Sequence, residues 1–83
     1  MNSNTTVYSV DDFNDALVDT VLKEVSLSLK DKGYDPVKQI VGYLMSGDSG
    51  YISSYQGARN KITSINRSDI LEFLLKNCVG EDK

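Results

Sequence analysis

The sequence has no histidine and no tryptophan, and it has a single cysteine and a single proline among its 83 residues. Without histidine, neither a Ser-His-Asp nor a Cys-His catalytic arrangement can form, and a histidine-ligated zinc site is excluded. Cys78 is alone, so the chain can form neither an internal disulfide nor a cysteine-ligated metal centre. These absences predict a protein that is not an enzyme, has no catalytic residues and binds no cofactor or metal ion.

Long apolar runs and a surplus of positive charge are also absent. No run approaches the roughly 20 apolar residues that a membrane-spanning helix requires, and the net charge is −3. This acidity weighs against general binding to nucleic acid or to an anionic membrane. The first ten residues contain no basic residue and no apolar segment of the kind that a signal peptide needs. A free cysteine without an export signal predicts a cytoplasmic protein with no membrane insertion.

Apolar residues recur at steps of three and four along most of the chain, which predicts an all-α fold, a small bundle of about four helices. The predicted helices run over residues 11–32, 35–46, 51–65 and 66–80. Gly33 suits the end of the first helix, and Asp35 followed by the single proline suits the start of the second. We predict a flexible N-terminal arm over residues 1–10, one helical domain over 11–79 and a short charged tail over 80–83.

The second predicted helix is apolar around most of its circumference. Its apolar residues are Val37, Ile40, Val41, Tyr43, Leu44 and Met45. A helix that is apolar on nearly all sides must be buried on nearly all sides. A chain this short supplies little cover, because it buries only about 60–65% of its unfolded surface. These residues are therefore predicted to form part of the core and the interface of an intertwined homodimer, and Gly42 among them indicates a close approach to another helix.

One short motif matches an enzyme signature. Gly47, Asp48, Ser49 and Gly50 match the GDSG sequence around the nucleophile of trypsin-like proteases. The general base is missing because the chain has no histidine, and residues that favour turns account for the match between two helices. We interpret the motif as a turn.

Negative charge is concentrated at the start of the first predicted helix. Asp12, Asp15 and Asp19 share one helix face there, and no basic residue precedes Lys23. Hard cations bind such carboxylate clusters. A solvated helix start that complements the helix dipole is the preferred interpretation.

Positive charge is concentrated in the stretch 49–68, which holds Arg59, Lys61 and Arg67 and no acidic residue. With Tyr51 and Tyr55 nearby, these side chains are candidates for binding phosphate or stacking on bases. The second and third predicted helices also have helix-turn-helix proportions, so a small nucleic-acid-binding protein is the alternative function. The opposing interpretation is an exposed face that neutralises the acidic half of the chain.

A longer pattern is specific. From residue 32 to residue 52 the sequence reads KGYxPxxQIVGYLxSGDxxYI, and Ala58, Arg59, Asn60 and Ile62 extend it. These residues resemble the IreB family, small regulatory phosphoproteins of low-GC Gram-positive bacteria. The resemblance covers most of the chain and implies a compact helical homodimer with flexible termini.

The same resemblance implies a function in signalling. Members are cytoplasmic substrates of a membrane Ser/Thr kinase with extracellular PASTA repeats, which a phosphatase opposes. They act as negative regulators of the cell-envelope stress response, including cephalosporin resistance, through a downstream protein that the sequence does not identify. The family threonine lies in a pattern like T-[MV]-x-F-x-[VL], which aligns with residues 5–10 except that Thr6 and Tyr8 stand at the [MV] and Phe positions. Thr5 therefore matches the phosphorylated residue, and Thr6 is its neighbour.

Overall fold

The computed structural model describes residues 10–80, and the fold over this range is all-α. The helices are α1 (Val10–Asp31), α2 (Pro36–Ser46), α3 (Ala58–Thr63) and α4 (Arg67–Val79), with short 3-10 turns at Ser49–Tyr51 and Tyr55–Gly57. The part of the chain that the structure describes contains no strand. The predicted all-α fold of about four helices is thus confirmed. The predicted N-terminal arm and charged tail lie almost entirely outside the described residues.

The boundaries of α1 and α2 follow from their capping residues. After α1, Gly33 has a φ of 91°, and its N–H donates to the Lys30 carbonyl oxygen at 2.9 Å. The Tyr34 N–H donates to the Leu29 carbonyl oxygen at 2.9 Å, which completes a Schellman motif. The Asp35 side chain then accepts from the Lys38 N–H at 3.2 Å and caps the start of α2.

The third predicted helix is wrong in its first half. In place of one helix from residue 51, the chain makes two 3-10 turns, and α3 begins only at Ala58. Gln56 has a φ of 51° and a ψ of 30°, and Gly57 has a φ of 74°, so both residues lie in the left-handed region. A right-handed helix cannot pass through two such residues. The segment before Ala58 therefore packs as a loop.

The core lies along one face of α1. That helix contributes Val18, Val21, Val25 and Leu29, and the rest of the chain covers them with Tyr43, Ile52, Ala58, Ile62, Ile65 and Ile70. Each of these side chains is buried. The helical spacing of the α1 residues predicts this face correctly. No helix within residues 10–80 is long and apolar enough to cross a membrane.

Candidate functional site

The six apolar residues of α2 divide into two groups. Tyr43 is buried in the core, and Ile40 and Leu44 are partly buried against it. Val37, Val41 and Met45 stay 69%, 50% and 82% exposed. The described residues alone therefore cover only about half of the apolar circumference of α2.

The exposed side of α2 borders an apolar groove of about 610 Å³. The groove lies between α1, α2 and the middle of α4, and it is lined by Leu22, Lys23, Ser26, Leu27, Lys30, Pro36, Val37, Ile40, Val41, Leu44 and Leu74. Only Lys23 and Lys30 bring charge to this lining, and Lys23 forms an ion pair with Asp19 at 3.1 Å. The groove is thus a surface for apolar side chains, since it offers few groups that could orient a polar substrate.

Two contacts fix the middle of α2 to the segment that follows it. The Gln39 side-chain oxygen accepts from the Ser53 N–H at 2.9 Å. Gly42 lies against the ring of Tyr51, and a Cβ at this position would meet the Tyr51 Cδ1 atom at 2.5 Å. The close approach that Gly42 predicts is present, but its partner is the first 3-10 turn and not a helix.

The basic residues that the sequence groups together each have a separate partner in the structure. The Arg59 Nε–H donates to the Ile52 carbonyl oxygen at 2.9 Å. The Lys61 ammonium lies 3.8 Å from a carboxylate oxygen of Glu24 on α1. The Arg67 guanidinium donates to the Leu44 carbonyl oxygen at 3.0 Å and packs against Gly47, where it caps the carboxyl end of α2.

These partners separate the three cations. Arg59 and Lys61 are two residues apart on α3, and residues at this spacing do not share a helix face. Arg67 lies at the end of α2, held by a carbonyl oxygen that is 23 residues away in sequence. A single phosphate would have to reach side chains that are held at separate places by these contacts.

A comparison with known families agrees with these observations. A sequence model described as "IreB regulatory phosphoprotein" matches residues 3–80. The chain belongs to the IreB regulatory phosphoprotein family. The match includes α1 to α4 and also Thr5 and Thr6, which lie outside the described residues. A phosphoprotein requires a kinase, so this family membership implies a kinase as a partner.

The GDSG motif of this IreB-family chain is a turn. Asp48 accepts from the Gly50 N–H at 2.8 Å and caps the first 3-10 turn, while its own N–H donates to the Ser46 hydroxyl at 3.0 Å. Gly47 has a φ of 76° and ends α2. Each residue thus has a role in turn formation, as its sequence predicts.

Two carboxylates near the start of α1 form ion pairs with different lysines. Asp19 pairs with Lys23 on α1, and Asp15 pairs with Lys76 on α4 at 2.9 Å. Across residues 10–80, no group of three His, Cys, Asp or Glu side chains is placed to hold a metal ion. Asp15 thus connects α1 to α4, and Asp19 balances the charge of a lysine on its own helix.

Tyr55 makes a contact that helical periodicity does not predict. Its hydroxyl donates to a carboxylate oxygen of Asp31 at 2.8 Å, and the Lys32 ammonium lies 5.3 Å from the centre of its ring. The hydrogen bond to Asp31 and the negative charge of that carboxylate raise the pKa of the Tyr55 hydroxyl. Tyr55 thus connects the 3-10 segment to the end of α1. Its ring, a candidate for base stacking, lies next to the Lys32 ammonium.

Proposed function

We propose that this protein is a non-enzymatic regulatory phosphoprotein, a cytoplasmic substrate of a membrane Ser/Thr kinase of the PASTA type and of its opposing phosphatase. The observation that carries the proposal is the family match over residues 3–80, which includes the threonine-containing segment. The groove beside α2 is apolar, which suits contact with a protein better than catalysis.

The modified residue is Thr5, with Thr6 as the second acceptor. A phosphate at either position adds about −1.5 to −2 charges and three acceptor oxygens. The output is negative regulation of the cell-envelope stress response, including cephalosporin resistance, through a downstream protein. Nucleic acid is the weaker candidate partner, because the net charge is −3 and separate contacts hold Arg59 and Arg67 apart.

A phosphorylation assay tests this function. The full chain is incubated with the cytoplasmic domain of a PASTA-type kinase and ATP, and the modified residue is located by fragmentation mass spectrometry. We expect phosphate on Thr5 or Thr6, reduced by Thr5→Ala or Thr6→Ala and lost in the double variant. Thr63→Ala is the matched control, since Thr63 is an exposed threonine in α3. Phosphate confined to residues of the helical domain would contradict the proposal.

The protein acts as a homodimer in this proposal, with α2 at the interface. Val37, Val41 and Met45 are exposed beside an apolar groove. A second copy would bury these side chains and fill the groove. Burial of apolar area supplies about 25 cal/mol per Å² before the cost of association is subtracted. The strongest sequence support is the apolar circumference of α2 in a chain of 83 residues.

Sedimentation at micromolar concentration tests the dimer. We expect the wild-type chain to have twice the monomer mass. Val41→Asp should give a folded monomer or an unfolded chain, because a buried charge without a partner is strongly destabilising. Asn60→Asp serves as the control, since Asn60 is exposed on α3 and does not line the groove. A wild-type monomer with full helical circular dichroism would contradict the dimer.

A further inference from the structure

The first turns of α1 expose a second apolar surface, separate from the groove. Val10, Phe13 and Leu17 are 75%, 67% and 44% exposed, and their spacing of three and four residues places them in one strip along the helix. We call this set the α1 strip. A phenylalanine that is two-thirds exposed beside two aliphatic residues is typical of an interaction site.

The α1 strip and the groove lie on different sides of α1. Leu17 lines a pocket of about 220 Å³ together with Ser64, Ile65 and Asn66 of the turn between α3 and α4. The groove is bounded instead by α2 and by Leu74. None of the three residues of the α1 strip therefore lines the groove.

The charge around the α1 strip is negative. Residues 10–22 contain four aspartates and no basic residue. Asp19 pairs with Lys23, Asp15 pairs with Lys76, and Asp12 also has an interaction partner, but the formal charge of the segment remains negative. Asp69 adds a further carboxylate in the wall of the neighbouring pocket. This distribution favours a positively charged partner.

The neighbouring pocket has the chemistry to hold one basic side chain. Leu17 and Ile65 supply apolar walls for a methylene stem. Asn14, Asn66 and Asp69 supply oxygen atoms for an ammonium or guanidinium group. A lysine or arginine can bury its stem along apolar walls while its charged head meets polar groups.

We propose that the α1 strip and this pocket together bind a basic amphipathic helix of a partner protein. Apolar residues of that helix would pack on Val10, Phe13 and Leu17, and a lysine or arginine would enter the pocket towards Asp69. This is the helix-in-groove type of recognition, with anchors at positions i, i+3 or i+4, and i+7. The inference concerns a surface that lies outside the groove assigned to the proposed dimer.

A second copy of the chain offers a poorer match than such a helix. α4 carries Arg67 and Lys76 but also Asp69 and Glu72, so its formal charge is balanced. α3 is basic, but its apolar residues Ala58 and Ile62 are fully buried. α2 carries a single lysine.

Phosphorylation would strengthen this binding, a step that rests on the proposed function. Thr5 and Thr6 precede Val10 by five and four residues in sequence, so a phosphate there adds negative charge to the segment that leads into the α1 strip. Phosphate oxygens accept strong hydrogen bonds from lysine and arginine side chains such as those of a basic helix. The binding of the unmodified chain does not depend on this step.

The probe is a synthetic amphipathic peptide of leucine and lysine, and a leucine and glutamate peptide of equal length is its control. Binding to the full-length chain is measured by fluorescence anisotropy, and the site by NMR amide shifts. We expect the lysine peptide to shift residues 10–17 and 64–69 and the glutamate peptide to bind much more weakly. Phe13→Ser should weaken binding about tenfold or more, the equivalent of 1.4 kcal/mol.

Two further variants separate the parts of the site. Asp69→Asn should weaken the lysine peptide severalfold and reduce the salt dependence of its binding. Asn60→Ser, at an exposed position of α3 that lines neither the groove nor the pocket, should leave binding at the α1 strip unchanged. Shifts confined to the groove, equal binding of both peptides, or no effect of Phe13→Ser would each overturn the inference.

The same experiments distinguish two other candidate occupants of the α1 strip, a second copy of the chain and its own N-terminal segment. If Phe13→Ser lowers the sedimentation mass, the α1 strip is a contact between copies and the inference is wrong. If deletion of residues 1–9 raises peptide affinity by tenfold or more, the chain's own N-terminal segment is the occupant, and the inference is again wrong. If phosphorylated and unmodified chains bind the peptide equally, the α1 strip is supported and only the phosphorylation step fails.

Discussion

α2 and α3 show how differently two helices of one small domain can be used. α3 has six residues, and both Ala58 and Ile62 are fully buried against α1. α2 has eleven residues, yet only its Tyr43 is buried in the core. The shorter helix buries its apolar side chains in the core. The longer helix packs one side on the core, is held by two hydrogen bonds, and leaves apolar side chains exposed within residues 10–80.

Hydrogen bonds add to the packing of Ile40, Tyr43 and Leu44 in fixing the position of α2. Gln39 binds the loop through the Ser53 N–H, and Arg67 holds the Leu44 carbonyl oxygen at the other end. Each such bond contributes about 0.5–1.5 kcal/mol, less than a buried aliphatic side chain. The exposed apolar side chains of α2 are therefore available to pack against a partner.

The largest expected effect separates the core from the groove. Leu29→Ala should lower the free energy of unfolding by about 2–5 kcal/mol, because Leu29 is fully buried on α1. Val41→Ala should change it by less than about 1 kcal/mol in protein dilute enough to be unassembled, because half of Val41 is exposed. Denaturant unfolding followed by circular dichroism measures both values.

Equal losses for the two variants in dilute protein would break the comparison. Val41 would then be buried by its own chain. Leu29→Ala should lower stability at every protein concentration, whereas the effect of Val41→Ala should grow with concentration if a second copy covers the groove. A titration of protein concentration therefore sharpens the contrast and separates fold from assembly.

The next effect concerns the close approach of α2 to the loop. A methyl group on Gly42 would meet the Tyr51 ring, so the gain in helix propensity from Gly42→Ala, about 1 kcal/mol, should be cancelled or outweighed by the clash. In a Tyr51→Ala background the same change should be stabilising. Thermal unfolding of the four chains in this double-mutant cycle measures the coupling. An additive cycle would show that Gly42 and Tyr51 do not constrain each other.

A smaller effect distinguishes a helix cap from a phosphate site. Arg67→Ala removes the donor to the Leu44 carbonyl oxygen, and we expect a loss of about 1 kcal/mol in unfolding free energy. If Arg67 acts as a cap, the loss is the same with and without a phosphate on Thr5. A larger loss in the phosphorylated chain would support docking of the phosphate at this end of α2. Lys38→Ala, an exposed cation on α2, is the control.

The sequence predicts those parts of the fold that depend on local chemistry. The end of α1 at Gly33 and the start of α2 at Asp35 follow from capping, and both are observed. The start of α3 could not be predicted, because left-handed geometry at Gln56 is unusual for a residue other than glycine. Nothing in the apolar spacing around Tyr55 indicates this interruption.

The surfaces were harder to predict than the helices. Periodicity identifies the apolar residues of α2, but which of them turn towards the core depends on how the helix is rotated against α1. The separation of Arg59 from Arg67 depends on carbonyl oxygens that are 7 and 23 residues away in sequence. Such pairings arise from tertiary contacts, so the grouping of basic residues along the chain gave no information about them.

The smallest expected effect is the pH dependence of the Tyr55 contact, which ties the loop side of the molecule to α1. The hydrogen bond to Asp31, the charge of that carboxylate and partial desolvation raise the pKa of Tyr55 above its ordinary value of 10.0. A raised pKa in the folded state means that the neutral hydroxyl is favoured. Its contribution is complete below the pKa of the unfolded chain and is lost as the pH rises through the folded pKa.

The wild-type chain should therefore lose stability between about pH 9 and pH 12 more steeply than Tyr55→Phe, which has no hydroxyl to ionise. Asp31→Asn keeps an acceptor but removes the negative charge, so the pKa of Tyr55 should fall towards that of a free tyrosine. Unfolding midpoints across this range measure the first effect, and tyrosinate absorbance measures the second. Parallel pH profiles for wild type and Tyr55→Phe would mean that the bond between Tyr55 and Asp31 does not hold the loop to α1 in solution, leaving Lys32 and the buried Ile52 to do so.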